Sequence, residues 1–131
     1  MDASAPRLLP KSAGVFFSGA SAPVDRMTTL EGAASAGEVT IKPLVVGDGM
    51  LLIELFEAKG VRVPEHTHDD HESIVYLVRG SMRLVIGGRE FIARAGDAWL
   101  HPRGVPHWSE TLEDCVAIEI KSPPRKTWTD T

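Results

Sequence analysis

The chain after residue 37 alternates short apolar runs with turn-forming residues. Seven runs rich in Val, Ile and Leu read VTIKPLVV, MLLIELFEA, SIVYLV, SMRLVI, REFIARA, DAWLHP and CVAIEI. Between them lie turn signals such as residues 47–49, 60–65, 95–97 and 102–106. No segment in residues 38–122 carries a helical apolar period, so the pattern predicts short strands arranged as an all-β sandwich or barrel.

One hairpin is specified in detail by the sequence. In the stretch LVIGGREFI, two apolar runs are separated by Gly87 and Gly88. A two-residue hairpin turn needs positive φ angles, which glycine adopts without steric cost. We therefore expect adjacent antiparallel strands on either side of this pair.

Residues 1–37 differ in texture, being rich in Ala, Ser, Gly and Pro with small apolar islands such as Val15 to Phe17. Such a composition buries little surface on its own. We predict an N-terminal arm over residues 1–37, partly ordered by docking or swapped onto a partner subunit. Residues 38–131 then form one β-barrel domain with a C-terminal extension, since a chain of 131 residues has room for a single core.

Charge and composition exclude several classes of function. A formal net charge of −4 and the absence of a basic patch argue against nucleic-acid binding. The chain has no stretch of about 18 consecutive apolar residues and no signal-peptide pattern, so we expect no membrane contact and a cytoplasmic location. The single cysteine, Cys115, lies in an apolar run and is interpreted as a buried hydrophobe.

Potential metal ligands concentrate in the stretch EHTHDDHES, residues 65–73, which holds three of the five histidines. His66 and His68 are two residues apart, so on a strand both rings point to the same face. Imidazole is a common ligand of transition metals. The alternative for this polar stretch is a solvated loop.

A second motif favours a metal site over a solvated loop. Residues 96–107 follow the pattern G-x5-P-x-G-x2-H and end at His107, while residues 60–80 carry G-x5-H-x-H and a closing glycine. With these two motifs the sequence resembles the cupin superfamily over roughly residues 40–122. The resemblance implies a single-domain jelly-roll barrel that holds one divalent transition metal, Zn, Fe, Ni or Mn, through His66, His68 and His107.

The fourth ligand is ambiguous in the sequence. The motif assigns it to Glu72 when counted forward from His68, but to Ser73 when counted back from Gly80. Glu72 would need a bulge to turn inward, whereas Ser73 would leave that position to water. His71 is a third candidate, although its spacing from His68 points it away on a regular strand. We take Glu72 as the predicted ligand and keep the other two open.

The C-terminal segment AIEIKSPPRKTW is similar to the end of the cupin subgroup that opens the ring of unsaturated uronates. That resemblance implies that Glu119 moves protons and that Arg125 clamps a substrate carboxylate. Lys121 stands where the subgroup has an aromatic residue. The alternative is that Glu119 and Lys121 face outward on an edge strand and that Arg125 caps the barrel.

Trp99 and His101 are two residues apart and share a strand face. They are predicted to bind substrate as one wall of the pocket, with a core or interface position as the alternative for Trp99.

These observations predict a metal-dependent enzyme for a small, carboxylate-bearing or cyclic molecule. Lewis-acid isomerase, lyase or cyclase chemistry is the first hypothesis. The alternatives are a metal-dependent dioxygenase, a non-catalytic cupin that binds a metal or small molecule, and a metal-free barrel. We expect a homodimer, because small cupins commonly pair and the arm is a plausible swapped segment.

Overall fold

The structure of the protein is a computed structural model that describes residues 9–129. These residues form thirteen strands and one 3-10 turn, Gly19–Ser21. The strands are β1 (Asp25–Arg26), β2 (Thr29–Leu30), β3 (Ala33–Ala34), β4 (Val39–Val46), β5 (Leu51–Glu57), β6 (Arg62–His66), β7 (Glu72–Arg79), β8 (Ser81–Ile86), β9 (Arg89–Arg94), β10 (Ala98–His101), β11 (His107–Thr111), β12 (Cys115–Ser122) and β13 (Trp128–Thr129). In this range there is no helix with the length and apolar character to cross a membrane.

Two antiparallel sheets build the barrel. One has the strand order β1-β4-β5-β12-β7-β10 and the other has the order β6-β11-β8-β9. Two clusters of buried apolar side chains fill it, one around Ile41 and Ile53 and the other around Leu77 and Leu84. Side chains from both clusters line a single cavity. The all-β prediction is confirmed, and each of the seven predicted runs coincides with a strand.

Strand alternation decides which side chains enter the cavity. On β12, the buried positions include Glu119 and Lys121, at 8% and 1% exposure. β12 lies between β5 and β7, so it is an interior strand. The alternative that these two residues face outward on an edge strand is therefore wrong.

One strand lies where a turn was predicted. β6 occupies residues of the segment 60–65, and Val61 and Val63 within and beside it are buried. Pro64 is tolerated because β6 is at the edge of its sheet, where one backbone N–H need not bond.

The predicted hairpin is present: Ile86 pairs with Arg89, and Gly87 and Gly88 have φ angles of 57° and 80°.

Part of the predicted arm packs on the barrel. β1 pairs with β4, β2 pairs with both β13 and β3, and Met27 is buried in the core. This pairing brings the β2–β3 turn, Glu31 and Gly32, close to the histidine-rich loop. Residues 1–8 of the arm lie outside the described residues, and exchange with a partner subunit stays a prediction.

Candidate metal centre

Three histidines meet at one end of the barrel. His66 ends β6, His107 begins β11, and the two are paired in the sheet register. His68 follows in the loop after β6. One ring nitrogen of each residue lies within 4.8 Å of the other two, and all three side chains are buried. The strand argument for His66 and His68 does not apply, because β6 ends at His66 and the loop itself returns His68 to the cluster.

The hydrogen bonds of the Nδ1 atoms determine which nitrogen each ring presents. Nδ1 of His66 donates to the carbonyl of Pro64 at 2.8 Å, and Nδ1 of His107 donates to the carbonyl of Val105 at 3.3 Å. An oxygen acceptor on Nδ1 makes Nδ1 the protonated nitrogen and leaves Nε2 with its lone pair. Nε2 of His66 is buried and has no hydrogen-bond partner among the described residues.

Nδ1 of His68 lies 3.3 Å from a carboxylate oxygen of Glu31, so His68 also presents Nε2. The cluster thus offers three equivalent nitrogen lone pairs at short mutual distances. This donor set suits a divalent transition metal.

The protonation state of His66 and His107 also favours metal binding. Burial, opposed by the bond to the Pro64 carbonyl, lowers the pKa of His66 to about 4. Burial and the neighbouring histidines His101, His66 and His68 lower the pKa of His107 to about 2. Both rings are therefore neutral at pH 7, and only the neutral imidazole binds a metal.

The predicted fourth ligand, Glu72, is not in this cluster. β7 alternates regularly with an exposed Glu72 and a buried Ser73, with no bulge that would turn Glu72 inward. In this geometry Glu72 faces away from the cluster, and its assignment as the fourth ligand stays a prediction. Ser73 occupies the inner face, but its hydroxyl donates to Oε2 of Glu119 at 2.7 Å.

His71 is fully buried, with its ring centroid 4.4 Å from that of His68. The expectation that it points away was wrong, because residues 67–71 are not a strand and the spacing rule fails there. Its Nδ1 donates to Asp70 at 2.8 Å. His71 nevertheless lies outside the group of nitrogens close enough to share one metal ion.

A buried ion pair lies beside the histidines. Nζ of Lys121 is 3.4 Å from Oε2 of Glu119, and both side chains line the cavity. Burial alone would raise the pKa of Glu119, but Lys121, His101 and the hydroxyl of Ser73 lower it to about 2. Glu119 is therefore an ionised carboxylate, able to accept a proton.

Trp99 and His101 both line the cavity, and their role in binding a substrate stays a prediction. Nε1 of Trp99 donates to Nε2 of His101 at 3.1 Å, and the His101 ring stacks on His107 with centroids 3.7 Å apart. Trp99 also packs against the second apolar cluster, so it serves both the core and the cavity.

Arg125 lies outside the cavity. Its Nε lies 3.3 Å from Oδ2 of Asp70, its Nη1 donates to the carbonyl of Pro124, and it does not line the cavity. The expectation that Arg125 meets substrate beside Glu119 is not met by this geometry. Asp70 also accepts the hydrogen bond from Nδ1 of His71. Arg125 therefore stabilises the loop between β6 and β7, which carries His68 and His71.

Two residues near the site had no clear signal in the sequence. Glu31 lies in the arm, and Glu57 is the last residue of β5. A carboxylate next to a loop is normally expected to be exposed to solvent. Glu57 is buried and lines the cavity. Burial and then repulsion from Glu119 raise its pKa to about 7. The cavity therefore holds one ionised carboxylate, Glu119, and one carboxyl group, Glu57, whose pKa lies near neutral pH.

Known proteins are similar to this chain over its barrel domain. Residues 52–121 match the family model described as the cupin domain. The pectin degradation protein KdgF of Dickeya dadantii is 33% identical over 85 residues, which cover 64% of this chain and 77% of that protein. Oxalate decarboxylase OxdC of Bacillus subtilis is 32% identical over 95 residues, 69% of this chain but 24% of that enzyme.

Among solved structures, an RmlC-like cupin from Shewanella frigidimarina superposes with a TM-score of 0.74 at 20% identity. The match covers 88% of this chain and 95% of that one. At this level of identity the similarity concerns the fold.

Proposed function

The chain belongs to the cupin domain family, and from this premise we propose that it is a metal-dependent enzyme acting on a small, carboxylate-bearing or cyclic molecule by isomerase, lyase or cyclase chemistry. The observation that carries the proposal is the meeting of the three clustered histidines with the ionised Glu119 in one buried cavity. A metal-binding cluster and a proton acceptor within the same enclosed space are what such chemistry requires.

The similarity to a pectin degradation protein supports a sugar-acid substrate class. The pocket, however, differs at the positions that would contact such a molecule. Lys121 occupies the place of an aromatic wall, and Ser73 is too short to act as a fourth protein ligand. We infer a substrate that presents an anionic group to Lys121 rather than an apolar ring face.

His66, His68 and His107 would hold the metal through Nε2. When bound, a divalent ion supplies Lewis-acid polarisation of a carbonyl or hydroxyl oxygen. Glu119 lines the same cavity and is ionised at neutral pH, and we assign it as the group that receives the proton released by the substrate. Ser73 orients this carboxylate through its hydrogen bond, and Lys121 balances its charge.

His101 has a definite role in this scheme. An indole N–H can only donate, so Nε2 of His101 is the acceptor and the proton of the neutral ring resides on Nδ1. Burial lowers the pKa of His101 to about 4, in keeping with a neutral ring. Nδ1 is buried and has no hydrogen-bond partner among residues 9–129. We assign this N–H as a donor to a substrate oxygen.

Metal analysis combined with turnover assays tests the proposal. The purified protein, loaded in turn with Zn, Fe, Ni or Mn, is incubated with unsaturated uronates and other small sugar acids, with and without oxygen. Product formation without oxygen supports the proposed chemistry. Turnover only with iron and with oxygen uptake would replace it by the dioxygenase alternative. Ligand-induced thermal shifts without product from any substrate would favour a binding protein.

Two further expectations belong to the proposal, a cytoplasmic location and a homodimer. The outer face of β7 and β10 supports pairing, because Ile74, Tyr76, Val78 and Leu100 are 52%, 49%, 45% and 45% exposed. A contiguous exposed apolar patch is typical of an interaction surface.

A further inference from the structure

The three histidines of the cluster differ in what holds their Nδ1 atoms. His66 and His107 each donate to the carbonyl of the residue two positions earlier, so their own backbone holds them. His68 lies in a loop and donates instead to Oε1 of Glu31, at 3.3 Å and 37 residues away. The orientation of one histidine therefore depends on a carboxylate from the N-terminal segment.

The backbone at Glu31 is unusual. Its φ angle is 51°, and it is the one non-glycine residue with positive φ among residues 9–129. Side chains other than glycine, Asn and Asp rarely adopt this conformation. Glycine, which follows at position 32, would adopt it freely. A glutamate held in such a conformation indicates that its side chain serves a purpose beyond forming the turn.

The surrounding contacts hold the turn in place. The backbone N–H of Glu31 donates to the carbonyl of Thr127 at 2.8 Å. Leu30, the preceding residue, pairs with Trp128, a buried core residue of β13. The Glu31 side chain is 14% exposed, and its carboxylate is directed at a His68 ring that is 2% exposed. The contact is thus shielded from solvent and fixed at both ends.

We propose that Glu31 is a positioning residue of the metal centre. Its carboxylate fixes the tautomer and the ring orientation of His68 and increases the basicity of Nε2. A carboxylate behind a metal-binding histidine has this effect in general, and its loss weakens metal binding by about 10- to 100-fold. The proposal rests on the proposed metal site, but not on the enzymatic reaction, and it makes the N-terminal segment a functional part of that site.

Two variants separate this role from a structural one. Glu31→Gln keeps the size of the side chain and removes its charge. Glu31→Gly removes the carboxylate and suits the positive φ angle. Glu38→Gln is the matched control, because it makes the same charge change at an exposed position directly after the N-terminal segment. Each full-length protein is prepared metal-free and titrated with Zn²⁺ against a chromophoric chelator, and its thermal unfolding is recorded without metal.

We expect both Glu31 variants to raise the dissociation constant for Zn²⁺ by about 10- to 100-fold. Metal-free Glu31→Gly should unfold at a temperature no lower than the wild type, and Glu38→Gln should match the wild type throughout. The visible absorption of bound Co²⁺ should change in Glu31→Gln, because His68 is the ligand affected. A structural role alone would not alter this spectrum.

Wild-type dissociation constants in both Glu31 variants would overturn the proposal. So would a loss of affinity that merely follows unfolding of the metal-free proteins, or a wild-type protein that binds no divalent metal. Tight, Glu31-dependent metal binding without turnover of any substrate would leave the proposal standing and remove the enzymatic function.

Discussion

The indole of Trp99 sets the protonation pattern of His101. The 3.1 Å hydrogen bond from Nε1 of Trp99 to Nε2 of His101 leaves Nδ1 as the protonated nitrogen, directly beside the stacked ring of His107. A fixed donor next to a histidine of the candidate metal centre is suited to an oxygen that gains negative charge during a reaction. The relationship joins a residue of the apolar core to the chemistry of the cavity.

Replacing Trp99 with Phe should release this constraint. We expect the imidazole ¹⁵N signals of His101 to indicate the Nδ1–H tautomer in the wild type and a mixture of both tautomers in Trp99→Phe. Turnover should fall in Trp99→Phe, and more strongly in His101→Phe, by about 100-fold, because that variant loses the donor altogether. Trp108→Phe is the control for loss of an indole. Unchanged tautomer signals in Trp99→Phe would contradict the assignment.

The Glu119–Lys121 pair should show strong energetic coupling. Both groups are buried, so removing one leaves the other charge without its partner. We expect Glu119→Gln and Lys121→Met each to lower the free energy of unfolding by about 3–5 kcal/mol. The double variant should lose less than the sum of the two, as measured by urea unfolding. Strict additivity would mean that the two charges do not interact.

Much of this fold could be predicted because alternation and turn chemistry are local properties. The seven apolar runs became strands, and the Gly87–Gly88 pair became the expected hairpin. β6 was missed because Gly60 and Pro64 resemble a turn, and only its edge position makes a proline acceptable there. Whether a strand lies at an edge is decided by the whole sheet.

The site was predictable in part for a similar reason. The positions of His66, His68 and His107 follow from two motifs, whereas the choice between Glu72 and Ser73 required the phase of β7. Contacts over long sequence separations gave no local signal. Glu31 reaches His68 from the N-terminal segment, and Arg125 reaches Asp70 from beyond β12. Neither partner could be identified without the tertiary arrangement.

The affinity for Zn²⁺ should depend on His107, which is buried in the histidine cluster, and not on Glu72, which lies on the exposed face of β7. Glu72 is exposed, so Glu72→Gln should bind Zn²⁺ with the affinity of the wild type. His107→Gln removes one of three nitrogen donors and should weaken binding by at least about 100-fold. Metal stoichiometry and chelator competition measure both. Weaker binding in Glu72→Gln would restore Glu72 as a ligand and require β7 to shift.

The apolar outer face predicts the oligomeric state. Ile74 pairs with Leu100 on one side and Ile120 on the other, which makes it the centre of an apolar row across three strands. We expect light scattering to give twice the 14.2 kDa chain mass for the wild type and a single chain mass for Ile74→Glu. Lys59→Glu, at an exposed loop position, should remain dimeric. A monomeric wild type would refute the homodimer.

Glu57 should make stability depend on pH. Its pKa is raised from 4.5 to about 7, so between these values the folded state binds more protons than the unfolded state. The stabilising effect is complete below pH 4.5 and is lost as the pH rises through 7, where the buried carboxylate ionises. The difference corresponds to about 3 kcal/mol at most. Glu57→Gln cannot ionise, so its gain in unfolding free energy over the wild type should be larger at pH 8 than at pH 5. Urea unfolding at the two pH values measures this difference.

Glu54→Gln, on the opposite face of the same strand, should show no such gain. Equal pH dependence in the wild type and Glu57→Gln would mean that water or a neighbouring group already compensates the charge.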